Sequence, residues 1–167
     1  MIGGLRVEKL RREHAVEAFT CGQPALDRFL ARYALQSQQA GGSPTYVALD
    51  GERVVGFHSL AYGQVEHQDA PDRAAKGLAR HPVPVMLLAR LAVATDYQGR
   101  GLGASLLKDA TLRTVQASDI AGLRAMLVHA KDNGAREFYE HFGFVASPTD
   151  PCHLMRLLKD VRAMLGG

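Results

Sequence analysis

Residues 91–103 read LAVATDYQGRGLG. Gly99, Gly101 and Gly103 fall on alternate positions, with Arg100 between the first two. The run before them, residues 85–93, is apolar except at Arg90. Such a run predicts a central strand covered on both faces. After the glycines, Leu106, Leu107, Ala110 and Val115 lie broadly on one side of a helix. A strand, a glycine turn and a helix start together make an anion site. The first helical turn leaves backbone N–H groups unpaired, and these meet the positive end of the helix dipole. Glycines admit close approach of a ligand and backbone angles that bulkier residues resist. Arg100 either adds charge to that site or faces water. The turn lacks the Gly-Lys-Ser/Thr ending of a nucleoside-triphosphate loop. Its glycine order also differs from the Gly-x-Gly-x-x-Gly of dinucleotide folds.

Outward from this joint the chain reads as alternating strands and helices. Residues 5–12 predict a first strand, carried by Leu5-Arg6-Val7-Glu8-Lys9-Leu10. Pro24 suits an early helical position, and Leu26, Phe29, Leu30, Tyr33 and Ala34 follow at helix spacing, a pattern expected mainly in the core. Gly41-Gly42-Ser43-Pro44 ends that helix. Residues 45–49 and 54–61 predict a hairpin across Asp50-Gly51-Glu52-Arg53. The polar, basic residues 63–82 are expected as a loop or short helix, an excursion of a kind that is often functional. Residues 123–130 predict a strand and 135–142 a short helix stopped by Gly143. Residues 144–145 and 153–157 predict two late strands, and 159–165 a closing helix. This order predicts one α/β domain spanning residues 1–167.

The 167 residues suit a single core. With 47% hydrophobic and 22% charged residues the chain reads as globular. It has no apolar run of about 18 residues, so no spanning helix and no membrane partner are expected. The opening residues lack the apolar region of a secretory signal. Cys21 and Cys152, the two cysteines, suggest neither a disulfide scaffold nor a thiolate cluster, and a reducing cytoplasm is the expected location. The seven histidines form no compact metal motif, so no metal is expected. The net charge of +3 is mild. However, the middle of the chain carries Arg73, Lys76, Arg80, Arg90, Arg100, Lys108 and Arg113 against Asp96 and Asp109. Either a phosphate-rich partner or an ordinary solvated surface accounts for that excess.

The glycine stretch resembles the acetyl-coenzyme A signature of the GNAT N-acetyltransferase family, Gln/Arg-x-x-Gly-x-Gly/Ala, with Gln98, Gly101 and Gly103 in the fixed places. NGAREFYEHFGF, residues 133–144, resembles the family's second signature. The resemblance covers most of the chain. It implies a GNAT-like mixed central sheet with splayed parallel strands, 85–93 and 123–130, flanked by helices. It implies that Gln98, Gly99, Arg100, Gly101, Leu102, Gly103 and Ala104 cradle the pyrophosphate of acetyl-CoA. Backbone groups of Leu91, Ala92 and Val93 would hold the pantetheine arm, with Asn133 and Phe138 as further cofactor contacts and Tyr139 near the thiol. A narrower resemblance joins residues 17–49, 84–110 and 135–148 to the GNAT toxins of type II toxin–antitoxin pairs. Those toxins acetylate the α-amino group of an aminoacyl-tRNA and so block translation. The resemblance implies a ribbon-helix-helix antitoxin, and operator DNA bound through the complex.

Acetyl transfer needs a neutral amine, a placed thioester and a stabilised leaving thiolate. An α-amino group titrates at about 7.7–8.0, and an ester-linked one lower, so a strong protein base is not compulsory. Orientation and desolvation then carry much of the effect, and a water-mediated path can remove the proton. The resemblance implies a backbone N–H near Val93 for the oxyanion. Tyr139 is the candidate general acid for the thiolate; its alternative is an aromatic core partner of Phe138. For tRNA phosphates the candidates are Arg28, Arg80 and Arg90. Arg28 shares a helix face with Arg32, and Arg6, Lys9, Arg11 and Arg12 extend the positive surface. Each is otherwise a solubilising charge, and Arg90 is otherwise a rim residue or a partner of Asp96. A homodimer or antitoxin interface over the first helix or residues 148–167 also stays open. Two alternatives stand beside the toxin reading: a GNAT acting on a protein N-terminus or small amine, and a non-catalytic acetyl-CoA-binding or regulatory subunit.

Overall fold

The computed structural model describes residues 4–78 and 81–166. One mixed seven-stranded sheet runs in the order β1-β2-β3-β4-β5-β7-β6. Its strands are β1 (Leu5–Lys9), β2 (Thr45–Asp50), β3 (Arg53–Val65), β4 (Val83–Val93), β5 (Ala125–His129), β6 (Val145–Ala146) and β7 (His153–Leu157). The helices are α1 (Pro24–Arg28), α2 (Ala34–Gln39), α3 (Asp72–Ala75), α4 (Leu102–Ala117), α5 (Asn133–His141) and α6 (Leu158–Gly166). The chain divides into two compact units, residues 1–61 with 89–110, and residues 62–88 with 111–167. Among the described residues no helix is long and apolar enough to cross a membrane, and both cysteines are free.

In the first unit, β1 and β3 flank β2 in antiparallel register. The expected hairpin is present: Asp50 pairs with Arg53, and Gly51 takes a left-handed φ of 60°. A π-helical turn, Phe29–Tyr33, joins α1 to α2. Pro24 opens α1, where its missing N–H is harmless. The Gln38 side chain holds the other end of this helical segment: it donates to the Leu10 carbonyl at 2.8 Å and accepts from the Thr45 N–H at 3.0 Å. Phe57 is fully buried, edge-on to Phe19 and stacked near Phe29. Truncating such a side chain to alanine costs about 3–5 kcal/mol. Leu30 and Ala34 are buried as expected, but Tyr33 is 52% exposed. The π turn, with its wider spacing, separates Tyr33 from the buried stripe.

In the second unit, β4 pairs in parallel with β5, Val85–Leu88 against Ala125–Val128, while β4 itself continues to Val93. β7 pairs antiparallel with β5 and β6. Val83, Val85, Ala125, Leu127, Met155 and Leu157 form a core with Ala70, Ala74 and Ala75. The segment 63–82, expected as loop or short helix, begins instead as strand, because β3 runs on to Val65; a 3-10 turn (His67–Asp69) and the short helix α3 follow. Arg124 closes the end of α3 by donating to the carbonyls of Ala74 at 3.0 Å and Lys76 at 2.7 Å. α5 starts two residues earlier than its apolar pattern predicts, because the Asp132 carboxylate caps it by accepting from the Ala135 N–H at 2.8 Å. Gly143, with φ of 92°, stops the chain after it.

Candidate functional site

The glycine turn of the first unit rests on a scaffold of distant residues. β4 ends with the Ala94 N–H donating to the Val55 carbonyl, and the Thr95 N–H to that of Thr20. A 3-10 turn, Thr95–Tyr97, follows. The buried Tyr97 hydroxyl donates to the Asp50 carboxylate in the hairpin; this bond, with burial, pushes the phenol pKa up. Arg53 grips Asp96 with two bonds, at 2.8 and 2.7 Å, and holds its carboxyl below the usual range. Asp96 is therefore Arg53's partner and not Arg90's. Gln98 donates its amide to the carbonyls of Cys21 at 2.9 Å and Val93 at 3.0 Å. Its side chain ties the turn to β4 and to the approach of α1. Arg100 lies over the Tyr97 ring, 4.5 Å from its centroid.

Gly99 and Gly101 have φ of 77° and 85°, the left-handed region where a side chain is strained. Among the described residues, each glycine and its two chain neighbours aside, no heavy atom lies within 4 Å of the position a Cβ would take at either. Their lack of a side chain thus answers a backbone requirement and leaves open space above the turn. Gly103 differs: it lies inside α4, outside the left-handed set. Leu102 is 2% exposed, so its side chain belongs to the core and only its backbone can serve a ligand. The first N–H groups of α4 have no intrahelical acceptor. These donors, next to the open space at Gly99 and Gly101 in the chain, suit a pyrophosphate. Ala104 is half-buried in the same first turn; Ala92 is buried, and Leu91 and Val93 are half-buried. Gly56 reveals another constraint: a Cβ there would meet Leu106 Cδ1 at 2.9 Å and the Ala92 carbonyl at 3.0 Å. That position holds α4 close against β3.

Also in the first unit, Arg90 is half-buried on β4, its guanidinium 3.5 Å from the centroid of the Phe29 ring. Burial pushes its pKa down. Among the described residues no carboxylate pairs with it. Arg28 is exposed on α1. Arg80, the remaining candidate for phosphate contact, lies outside the described residues.

In the second unit, Tyr139 is half-buried on α5. Its ring sits edge-on to Phe138, 5.2 Å between centroids, and to Phe144 at 5.5 Å. Burial pushes its hydroxyl up to about 12. Among the described residues no protein group bonds that hydroxyl. Such a phenol keeps its proton at neutral pH and can donate it. Asn133 is exposed in the first turn of α5, and Phe138 is half-buried, packed edge-on to Phe142. No group of three His, Cys, Asp or Glu side chains among the described residues can hold a metal.

Sequence reasoning missed the Arg53–Asp96 clamp, the Tyr97–Asp50 tie and the Phe29 platform of Arg90. Only the last had a signal, an arginine inside an apolar run.

The acetyltransferase (GNAT) domain model matches residues 41–146. A tRNA-acetylating toxin of Mycobacterium tuberculosis (strain ATCC 25618 / H37Rv) is 54% identical over 151 residues, 90% of this chain and 90% of the relative. The structure of AtaT complexed with acetyl-methionyl-tRNAfMet matches with a TM-score of 0.90 at 24% identity, covering 96% of this chain and 99% of that one. A tyrosine-to-phenylalanine mutant of the AtaT toxin, bound to the C-terminus of the antitoxin AtaR and acetyl-CoA, matches with a TM-score of 0.82 at 25% identity, covering 98% and 99%. The paired signatures, the mixed sheet and these likenesses lead to one assignment: the chain belongs to the GNAT acetyltransferase family, alongside the tRNA-acetylating toxins.

Proposed function

We propose that this chain is a toxin that moves the acetyl group of acetyl-CoA to the α-amino group of an aminoacyl-tRNA, so that the amino acid is lost to translation. The 54% identity to a tRNA-acetylating toxin over nine-tenths of both chains carries this reading. Acetyl-CoA supplies the activated acetyl thioester. In the first unit, the backbone from Gln98 to Ala104 takes the pyrophosphate. Gln98 acts there by fixing the turn, and Arg100 by adding charge. Backbone groups of Leu91, Ala92 and Val93 take the pantetheine arm, with an N–H near Val93 for the oxyanion. Asn133 and Phe138 add cofactor contacts in the second unit. Tyr139 protonates the leaving sulfur. Its pKa of about 12 lies well above the thiol value of about 8.5, so the phenol works by a strong hydrogen bond to the developing thiolate. The proton crosses late and is replaced from water.

Arg90 and the exposed Arg28 are proposed contacts to tRNA phosphates, as is Arg80. A half-buried arginine resting on an aromatic ring, with no acid beside it among the described residues, is a cation available to an anionic ligand. A ribbon-helix-helix antitoxin is the proposed partner, with operator DNA bound by the pair.

The test is incubation with radiolabelled acetyl-CoA and a complete mixture of charged tRNAs, with deacylated tRNA as control. Label is expected on charged tRNA and should leave with the amino acid on ester hydrolysis. Tyr139→Phe should lower the rate by about 100- to 10,000-fold. Label appearing only on proteins or small amines would overturn the acceptor. An unchanged Tyr139→Phe rate would overturn the acid.

A further inference from the structure

Two histidines outside the assigned machinery meet at the carboxyl end of β5. The β5–β7 register sets His129 directly across from His153. Their rings stack 4.0 Å apart at 17°. Asp150 Oδ2 stands 3.5 Å from His153 Nε2. That carboxylate is itself held, since its Oδ1 accepts from the Cys152 N–H at 2.9 Å. The backbone locks the turn as well: the His153 N–H donates to the Asp150 carbonyl at 3.2 Å, and the Ala130 N–H to that of Cys152 at 2.7 Å. His129 is exposed, the last residue of a strand that runs parallel to β4. Ligands of open α/β sheets bind beyond the carboxyl ends of such strands. The chain leaves His129 and enters α5, which bears Tyr139, after three residues, 130–132.

We propose that His129 accepts the proton released by the acceptor amine, and that His153 and Asp150 position and tune its ring. This rests on the acetyl-transfer reading above. The amine nitrogen bonds to the acetyl carbon and becomes cationic. One N–H proton then passes to a lone pair on the His129 ring. The C–S bond breaks, and the sulfur keeps the electron pair and takes a proton from Tyr139. The imidazolium releases its proton to water and the phenolate regains one, so the count closes. A base for this step must be neutral near pH 7. Partial burial first, and then the neighbouring His153 ring, hold the His129 pKa below its ordinary value, while Asp150 pulls it up. These are the groups that face it.

The experiment is the pH profile of acetyl transfer to charged tRNA, from about pH 5.5 to 9, with His129→Gln, His129→Ala, His153→Gln and Asp150→Asn. His129→Gln should lose about 100-fold or more near neutrality, and its rate should keep climbing with pH where the wild type levels off. Added imidazole should restore part of the His129→Ala rate. The two tuning variants should move the acid limb in opposite directions. His153→Gln removes the neighbour that adds to burial in lowering the His129 pKa, so its limb moves to higher pH; Asp150→Asn moves it lower. A wild-type profile in His129→Gln would overturn the proposal. So would limbs that move together, or a loss in His129→Ala that imidazole does not relieve. If the His129 variants do not fold, the opposed limbs decide. A wild type that acetylates some other amine would overturn the acceptor and leave this test to be run on that amine.

Discussion

Replacing Gly101 with alanine separates the conformational role of the turn from its ligand role. The backbone at Gly101 has φ of 85°, and the added methyl would meet no heavy atom within 4 Å. The whole penalty is therefore local. A left-handed non-glycine residue costs about 1–2 kcal/mol, and the stiffer unfolded chain returns about 0.4–1 kcal/mol. If the turn keeps its shape, Gly101→Ala loses about 1 kcal/mol, a melting shift of about 2–4 °C at this chain length. If the turn relaxes, its N–H groups re-aim and at least one charge-assisted bond to the pyrophosphate is lost. Such a bond is worth about 1.5–3 kcal/mol, which weakens coenzyme A binding by about 10- to 100-fold. Gly101→Asn should fall between, because asparagine visits this region more readily. Gly103→Ala carries no left-handed penalty and should lose less of both stability and affinity than Gly101→Ala. Calorimetry with coenzyme A and thermal melts of the four proteins check the order. A Gly101→Ala protein that matches the wild type in both would refute the reasoning, as would a Gly103→Ala protein that binds worse than Gly101→Ala.

Arg90→Met keeps an apolar stem against Phe29 and removes a half-buried charge that has no carboxylate partner among the described residues. Its melting temperature should hold or rise, while tRNA binding weakens and the slope of log affinity against log salt falls by about 1. Filter binding across a salt series checks this. Because burial lifts the Tyr139 hydroxyl to about 12, its protonated form persists through the alkaline range. The wild-type rate should therefore show no fall near pH 10, and a fall there that Tyr139→Phe abolishes would count against the assignment. Glu8 is held down from 4.5 to about 2, chiefly by its bonds to Arg11 and His14. A depressed carboxyl stabilises fully above its unfolded value and loses that contribution as pH falls through its folded one. Glu8→Gln should therefore be less stable than wild type at neutral pH. Urea melts should show the difference closing between about pH 4.5 and 2.

Much of the fold was legible because its signals are local. Gly41-Gly42-Ser43-Pro44, the Asp50-Gly51 hairpin and Gly143 each end an element within a few residues of their own position, and all three fall where expected. What escaped was contact at long sequence separation. Arg53 reaches across 43 residues to Asp96. Arg90 finds Phe29 rather than the nearby Asp96. His129, on a strand without a visible partner, meets His153 only once β5 and β7 pair in register. The exposed Tyr33 shows the same limit at short range: helix spacing cannot foresee a π turn.

The signature around Gln98 carries a further lesson. Of its residues, Gln98 binds the carbonyls of Cys21 and Val93, Gly99 and Gly101 meet a backbone angle, and Leu102 fills the core. These four side-chain identities are explained by the shape of the turn without any ligand. The pattern in the sequence is therefore a record of how a chain exposes helix N–H groups above open space. That geometry suits the proposed pyrophosphate whatever amine the enzyme goes on to acetylate. The acceptor has to be read elsewhere, from residues whose placement the turn does not explain: Arg90 and the Tyr139 hydroxyl, which have no acid and no hydrogen-bond partner, respectively, among the described residues, and the paired imidazoles at the end of β5.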